Sequence, residues 1–381
     1  MHDSNSLFAH KSARSAARYV IAAVLITASA ACAGGGGSSG AAPVPMGGSQ
    51  SSTAAGPRWP VKTREHVDLW LHAFALLQDD TSRVPLFRRN YKDEVTVRKN
   101  RDQVHTLLDS NRTKLMARFR QNPSLGGAQF AALYFGNWED MRSAIDLFMR
   151  AEGDPRRSGN QETQQIVAFF AAQFPTPADR EWLRLLTESL VDEQRRFYHA
   201  YWVEEQRTRA SALSAVDSLW KRVYLPKFQP FLNNTQQSSG DLVLSLTLGG
   251  EGRTVNVAKQ QNVVAVGFPV RPADAAEVIY VLAHEAIGTL AGSAVNDNTT
   301  PAEKRNGAGD RLQSNAAVRG GAMLLQRLAP ELVPGYMRYY VRIVNASSSG
   351  DATLAFTTAF PLTEPVADAI KRQLDIVLGG I

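Results

Sequence analysis

The apolar pattern of this chain changes period once, near residue 240, and that change constrains the fold more than any motif does. From residue 61 to about 235 the apolar residues recur at helical spacing. Val67, Trp70, Phe74 and Leu77 share one face, and Leu115, Met116 and Phe119 lie in a second segment led by Asp109. Residues 129–149 read as two short helices or a bend near Gly136. Thr176-Pro177 starts a long helix through Trp182, Leu186, Leu190 and Tyr198, with proline at the first helical position, where its missing N–H costs nothing. Residues 211–224 carry Val216, Leu219 and Trp220 at the same spacing.

Beyond residue 240 the period becomes two. DLVLSLTL (241–248), RTVNV (253–257) and NVVAVGF (262–268) read as strands, with Gly249-Gly250 as a turn, and together as an antiparallel set. Pro272 then begins a helix that runs to about residue 290. Residues 315–345 are again helical, FTTAF (356–360) is strand-like, and a last helix over 366–377 ends at Gly379-Gly380. The expected fold class is α+β: mostly helical, with a small antiparallel sheet feeding a central helix. No linker-like composition interrupts 58–381, so one domain is expected there, with a helical part (58–239) and a sheet-plus-helix part (240–381).

The segment ahead of residue 58 has a different character. Lys11, Arg14 and Arg18 precede YVIAAVLIT (19–27), which is apolar but too short to span a bilayer. Small residues follow, then Cys32, the only cysteine, which therefore has no internal disulfide partner. This arrangement resembles the bacterial lipobox. The resemblance implies that residues 1–31 are a signal peptide, and that Cys32 is acylated and anchors the mature chain to a membrane. Ser29 stands where that family prefers leucine, and Ala28-Ser29-Ala30 also suits ordinary signal-peptidase cleavage, which would make the product periplasmic or secreted. Residues 33–57 are rich in Gly, Ser and Ala and carry no charge. They bury too little to offset their ordering entropy, so a flexible tether is expected. The expected location is the cell envelope.

Several function classes find no support. The net charge is +6, but the basic residues are interleaved with acids, as in REHVD and DEQRR, so no nucleic-acid patch is expected. Downstream of Cys32 no run of about 18 apolar residues suggests a spanning helix. Gly249 to Thr254 (GGEGRT) lacks the lysine and following helix of a phosphate-binding loop, and neither a GxSxG elbow nor a dinucleotide fingerprint is present.

One constellation suggests chemistry. Residues 262–290 run strand, loop, then a helix bearing His284-Glu285. This order resembles the gluzincin branch of the zincin metallopeptidases, which carry HExxH on a helix beneath a small sheet. Two histidines four apart share a helical face and grip zinc, the glutamate beside the first activates the bound water, and a glutamate from a later helix completes the site. The resemblance covers about residues 240–345 and rests on element order and one dipeptide. It implies that His284 is a zinc ligand and Glu285 the general base, with a peptide or protein as substrate. Position 288, where the second histidine would stand, is Gly288, which cannot ligate, and His284 is the last histidine of the chain. Upstream stand His66, His72, His105 and His199. Of these His199, inside the aromatic segment FYHAYW and near Asp192-Glu193, is the candidate second ligand. Asp297, Glu303 and Asp310 are the nearest downstream carboxylates. Without a metal, His284 is an ordinary core histidine, and a buried Glu285 needs a partner, for which Arg253 or Arg319 would serve. Two functions are therefore expected: an envelope lipoprotein with a metallopeptidase-like domain whose zinc site is altered or inactive, or a non-enzymatic binding or scaffolding lipoprotein.

Overall fold

A computed structural model describes residues 58–79, 82–258, 260–305, 308–346 and 351–379. The expected signal peptide (1–31), Cys32 and the expected tether (33–57) lie outside the described residues. The helical half opens with a strand, β1 (Val61–Thr63), where helix was expected; three residues are too few to carry a period. Then follow α1 (Glu65–Leu77), α2 (Tyr91–Arg101), α3 (Leu107–Gln121), α4 (Trp138–Arg150) and α5 (Gln161–Gln173). After them come α6 (Pro177–Glu193), α7 (His199–Thr208), α8 (Ala210–Leu219) and α9 (Leu225–Asn234).

Local chemistry sets the starts of these helices. Thr106 and Asp109 form a reciprocal cap on α3, and Thr176 and Asp179 do the same on α6, with Pro177 at its first position. A 3₁₀ stretch, Pro123–Tyr134, ends at Phe135 before Asn137 caps α4, so the chain breaks beside Gly136 as expected. One π-helical turn, Gln194–Tyr198, joins α6 to α7, and another, Trp220–Tyr224, joins α8 to α9. The first lets Phe197, Tyr198 and Tyr201 all turn into the core, so the FYHAYW aromatics are mainly packing residues.

β2 (Ser239–Ser245), β3 (Arg253–Ala258) and β4 (Gln261–Gly267) complete a four-stranded sheet in the order β1-β2-β4-β3. The sheet is mixed, which corrects the expected antiparallel set. β1 pairs parallel to β2 and β2 parallel to β4, while only β3 and β4 are antiparallel. The physical reason lies in the connections. The Gly-rich stretch after β2 is too long for a tight hairpin; it carries the chain to the far edge of the sheet, and Gly249 and Gly250 donate backbone N–H groups to Leu86 and Pro85 on the way. β4 then pairs antiparallel with β3 and takes the place between β2 and β3. The two halves share this sheet and are bound by Asp68 on α1, which accepts from Leu246 N and Trp202 Nε1, both at 3.0 Å.

The second half continues with α10 (Ala276–Asp297), α11 (Pro301–Arg305), α12 (Ala308–Leu328), α13 (Val333–Ile343), α14 (Ala352–Ala359) and α15 (Glu364–Gly379). FTTAF, expected as a strand, belongs mostly to α14. Asp351 caps that helix by accepting from Thr353 N, and Phe356 and Phe360, four apart, are both buried. α10 lies against β3 and β4 on one side and α12 on the other. Small residues allow that approach: a Cβ at Gly320 would come 3.1 Å from Ile287, and one at Gly321 3.3 Å from the His284 Cα.

Candidate functional site

α10 is apolar nearly all round. Val278, Ile279, Val281 and Leu282 are each buried, and each contributes about 1.5–3 kcal/mol by leaving water. That packing draws the adjoining His284 and Glu285 inside, with side chains 7% and 12% exposed. Their surroundings decide what they can do.

Glu285 faces the edge strand. Its Oε2 accepts from Thr254 Oγ1 at 3.2 Å. Residue 252 must be small here, because a Cβ would lie 2.6 Å from the Ala265 carbonyl oxygen and 3.0 Å from Glu285 Cγ. Burial opposes the Glu285 charge, but His284, Arg253 and Thr254 together hold its pKa below the usual carboxylate value. Arg253, expected as a partner, thus acts through its field; its guanidinium lies 4.7 Å over the Phe130 ring. Arg319, the other expected partner, instead donates to the Phe360 carbonyl at 3.2 Å.

His284 stacks on Tyr340, with ring centroids 5.7 Å apart and planes inclined by 30°. Its Nδ1 is 3.3 Å from Glu285 Oε1, an ion-pair distance without hydrogen-bond alignment, and neither ring nitrogen has a hydrogen-bond partner. Burial works against the imidazolium, yet the Glu285 carboxylate, with help from Glu251, holds its pKa above the ordinary histidine value. A buried polar atom without a partner costs about 1–3 kcal/mol, so Nε2 is the atom of this site with unused bonding capacity. Tyr340 stays neutral, its pKa driven far up by burial, and donates to the Gly250 carbonyl at 3.3 Å. Position 288, one turn along α10, faces open space: a Cβ on Gly288 would meet nothing within 4 Å.

The structure brings His284 and Glu285 together with Thr254, but His199 has a different partner. It is exposed and paired with Glu65 on α1, at 3.0 Å and 3.1 Å from the two carboxylate oxygens. Asp297 and Glu303 are exposed, and Glu303 is engaged with Thr300 at the start of α11. The Asp310 side chain is outside what the structure describes. Among the described residues, no three His, Cys, Asp or Glu side chains converge in a way that would hold a metal ion.

A second polar cluster escaped the sequence reading. Lys99, only 5% exposed, donates from Nζ to Glu193 Oε2 at 2.8 Å, to both Asp109 oxygens at 3.0 Å and 2.9 Å, and to Thr106 at 3.3 Å. His72 lies between Glu193 Oε1 at 3.1 Å and Tyr91 Oη at 2.9 Å. Burial lowers the His72 pKa, so this ring is neutral at pH 7, donating through Nε2 to the carboxylate and accepting at Nδ1 from the tyrosine. Asp192-Glu193 was legible as an acidic pair, but nothing local pointed to Lys99. Burial also takes the His66 pKa down to about 4, with its Nε2 donating to the Phe135 carbonyl at 3.0 Å.

Set beside known protein families, characterised proteins and solved structures, the chain matches none of them.

Proposed function

We propose that this chain is an exported lipoprotein, anchored through Cys32, whose folded part is a metallopeptidase-like domain with an altered zinc site. One observation carries the reading. His284 and Glu285 sit on a buried helix laid against a small sheet, with Glu285 held by the edge strand, and the next turn of that helix opens onto free space at Gly288. In the zincin comparison these positions correspond to the first ligand, the general base and the missing second ligand. Zinc fits the residues present only in part: Nε2 of His284 has a free lone pair in its neutral form, while the turn that should carry the second ligand carries none. When bound, zinc would acidify a water; the chain's own contribution is to hold Glu285 ionised through Thr254, Arg253 and His284.

A second reading, a binding or scaffolding lipoprotein without chemistry, is favoured by the engagement of His284 and Glu285 with each other as a buried ion pair.

Metal content separates the two. The reading expects little zinc in the wild type and a clear gain in Gly288→His, which restores the pair of histidines one turn apart. No gain in a folded Gly288→His variant would favour the scaffolding reading. Stoichiometric zinc in the wild type, released by His284→Ala and retained by Glu285→Gln, would instead make the site an active one. The anchor is tested separately, by labelled palmitate in wild type against Cys32→Ala; equal labelling of both would remove the lipoprotein assignment.

A further inference from the structure

Away from the His-Glu helix, α1, α2, α3 and the loop between α2 and α3 line a partly open cavity of about 150 Å³. Its apolar side is Leu76, Leu77, Val95, Val104 and Leu108, and Thr96, Asn100 and His105 add polar groups. Three charged side chains also line it, and two of them are already satisfied: Lys99 is saturated by Glu193, Thr106 and Asp109, and Asp109 is neutralised by Lys99. The third, Arg112, stands on α3 one turn beyond Asp109. It is half-buried and makes no hydrogen bond or ion pair among the described residues. A guanidinium presents five donors in a planar fork that matches a carboxylate, and here no protein acceptor meets it. The start of α3 supplies no competing anion site, because Asp192 accepts from Leu107 N and Asp109 completes the cap.

We propose that this cavity binds a small carboxylic acid, with its carboxylate on Arg112 and its hydrocarbon body against the leucines and valines. A cavity of this size admits a molecule about as large as benzene, which sets the body at about four to six carbons. An amine would bring its charge against Arg112, whereas a carboxylate matches the guanidinium fork. The assignment is independent of the zinc reading, since it uses no residue of α10.

Calorimetric titration of the purified full-length chain with hexanoate tests the assignment, with hexylamine as the charge-reversed probe. Saturable hexanoate binding is expected, with much weaker uptake of hexylamine. Arg112→Gln should weaken hexanoate about tenfold, the loss of one charge-assisted contact. Because Arg112 has no protein partner, that variant should unfold at the same temperature as wild type. Val104→Phe, which fills the cavity from a half-buried position, should also reduce binding. No saturable hexanoate binding by the folded wild type, equal affinity for hexylamine, or unchanged affinity in Arg112→Gln would each overturn the proposal.

Discussion

Glu193→Gln removes one charge from the buried cluster beneath α1 and leaves the shape nearly unchanged. Glu193 is fully buried and accepts from Lys99, His72 and Thr106. Burial alone would raise its pKa, but the hydrogen bond from His72 and the charge and hydrogen bond of Lys99 prevail and take it down to about 2 from an ordinary 4.5. A drop of that size corresponds to about 3 kcal/mol of folding stability at neutral pH. The direction follows from the sign of the shift. A carboxylate with a lowered pKa in the folded protein stabilises fully above its unfolded value, and that stabilisation is lost as pH falls toward the folded value. Removing one partner of a buried pair costs about 3–5 kcal/mol by a separate route, which agrees in scale. Urea unfolding of wild type and Glu193→Gln at pH 7, 5 and 3 reads both the size and the slope. The expected deficit is about 3 kcal/mol at pH 7, nearly the same at pH 5, and about half as much at pH 3. A deficit below about 1 kcal/mol at pH 7, or one that does not change with pH, would refute the charge argument.

Three further substitutions probe α10 and its neighbours. Gly321→Ala would set a Cβ 2.2 Å from the Tyr336 hydroxyl, which donates to the Val318 carbonyl at 2.7 Å, so thermal unfolding should show a loss of about 2–4 kcal/mol. Gly288→Ala meets nothing within 4 Å in the middle of a helix and should stabilise by about 0.5–1 kcal/mol; a loss would mean the space is not open. Glu285→Gln should cost most between the ordinary glutamate and histidine values, because the lowered Glu285 pKa stabilises above about 4.5 and the raised His284 pKa stabilises below about 6.5. Melting curves at pH 5.5 and 8.5 check this, and equal losses at the two values would show that the pair does not titrate as described.

The parts of the fold that could be read from the sequence are those fixed by neighbours along the chain. Thr176-Pro177 starts α6 through contacts three residues apart, and the apolar run from Val278 to Leu282 is sufficient to bury His284 and Glu285. Arg253, expected as a partner for a buried Glu285, does act on it through its charge, and Thr254 donates to it. What stayed hidden depends on distant partners. Strand direction is settled by where β1 and β4 come to lie, which no local pattern records. FTTAF has the composition of a strand, but its Asp351 cap and the spacing of its two phenylalanines make it a helix. The Lys99 cluster draws on α1, α2, α3 and α6, and its members look like ordinary surface residues until those helices meet.

The pairing of β1 with β2 also orders events in time. Val61 finds its partner only at Leu242, and Lys62 and Arg64 find theirs at Asp241. As the chain is synthesised, the strand emerges first and stands without a ladder until α1 to α9 have followed it. Those helices, held by local contacts, form early, while pairing β1 with β2 spans 181 residues (242 − 61) and is the slow step. Lys62 places a charge on the waiting strand, which discourages it from pairing with another nascent copy in the interval.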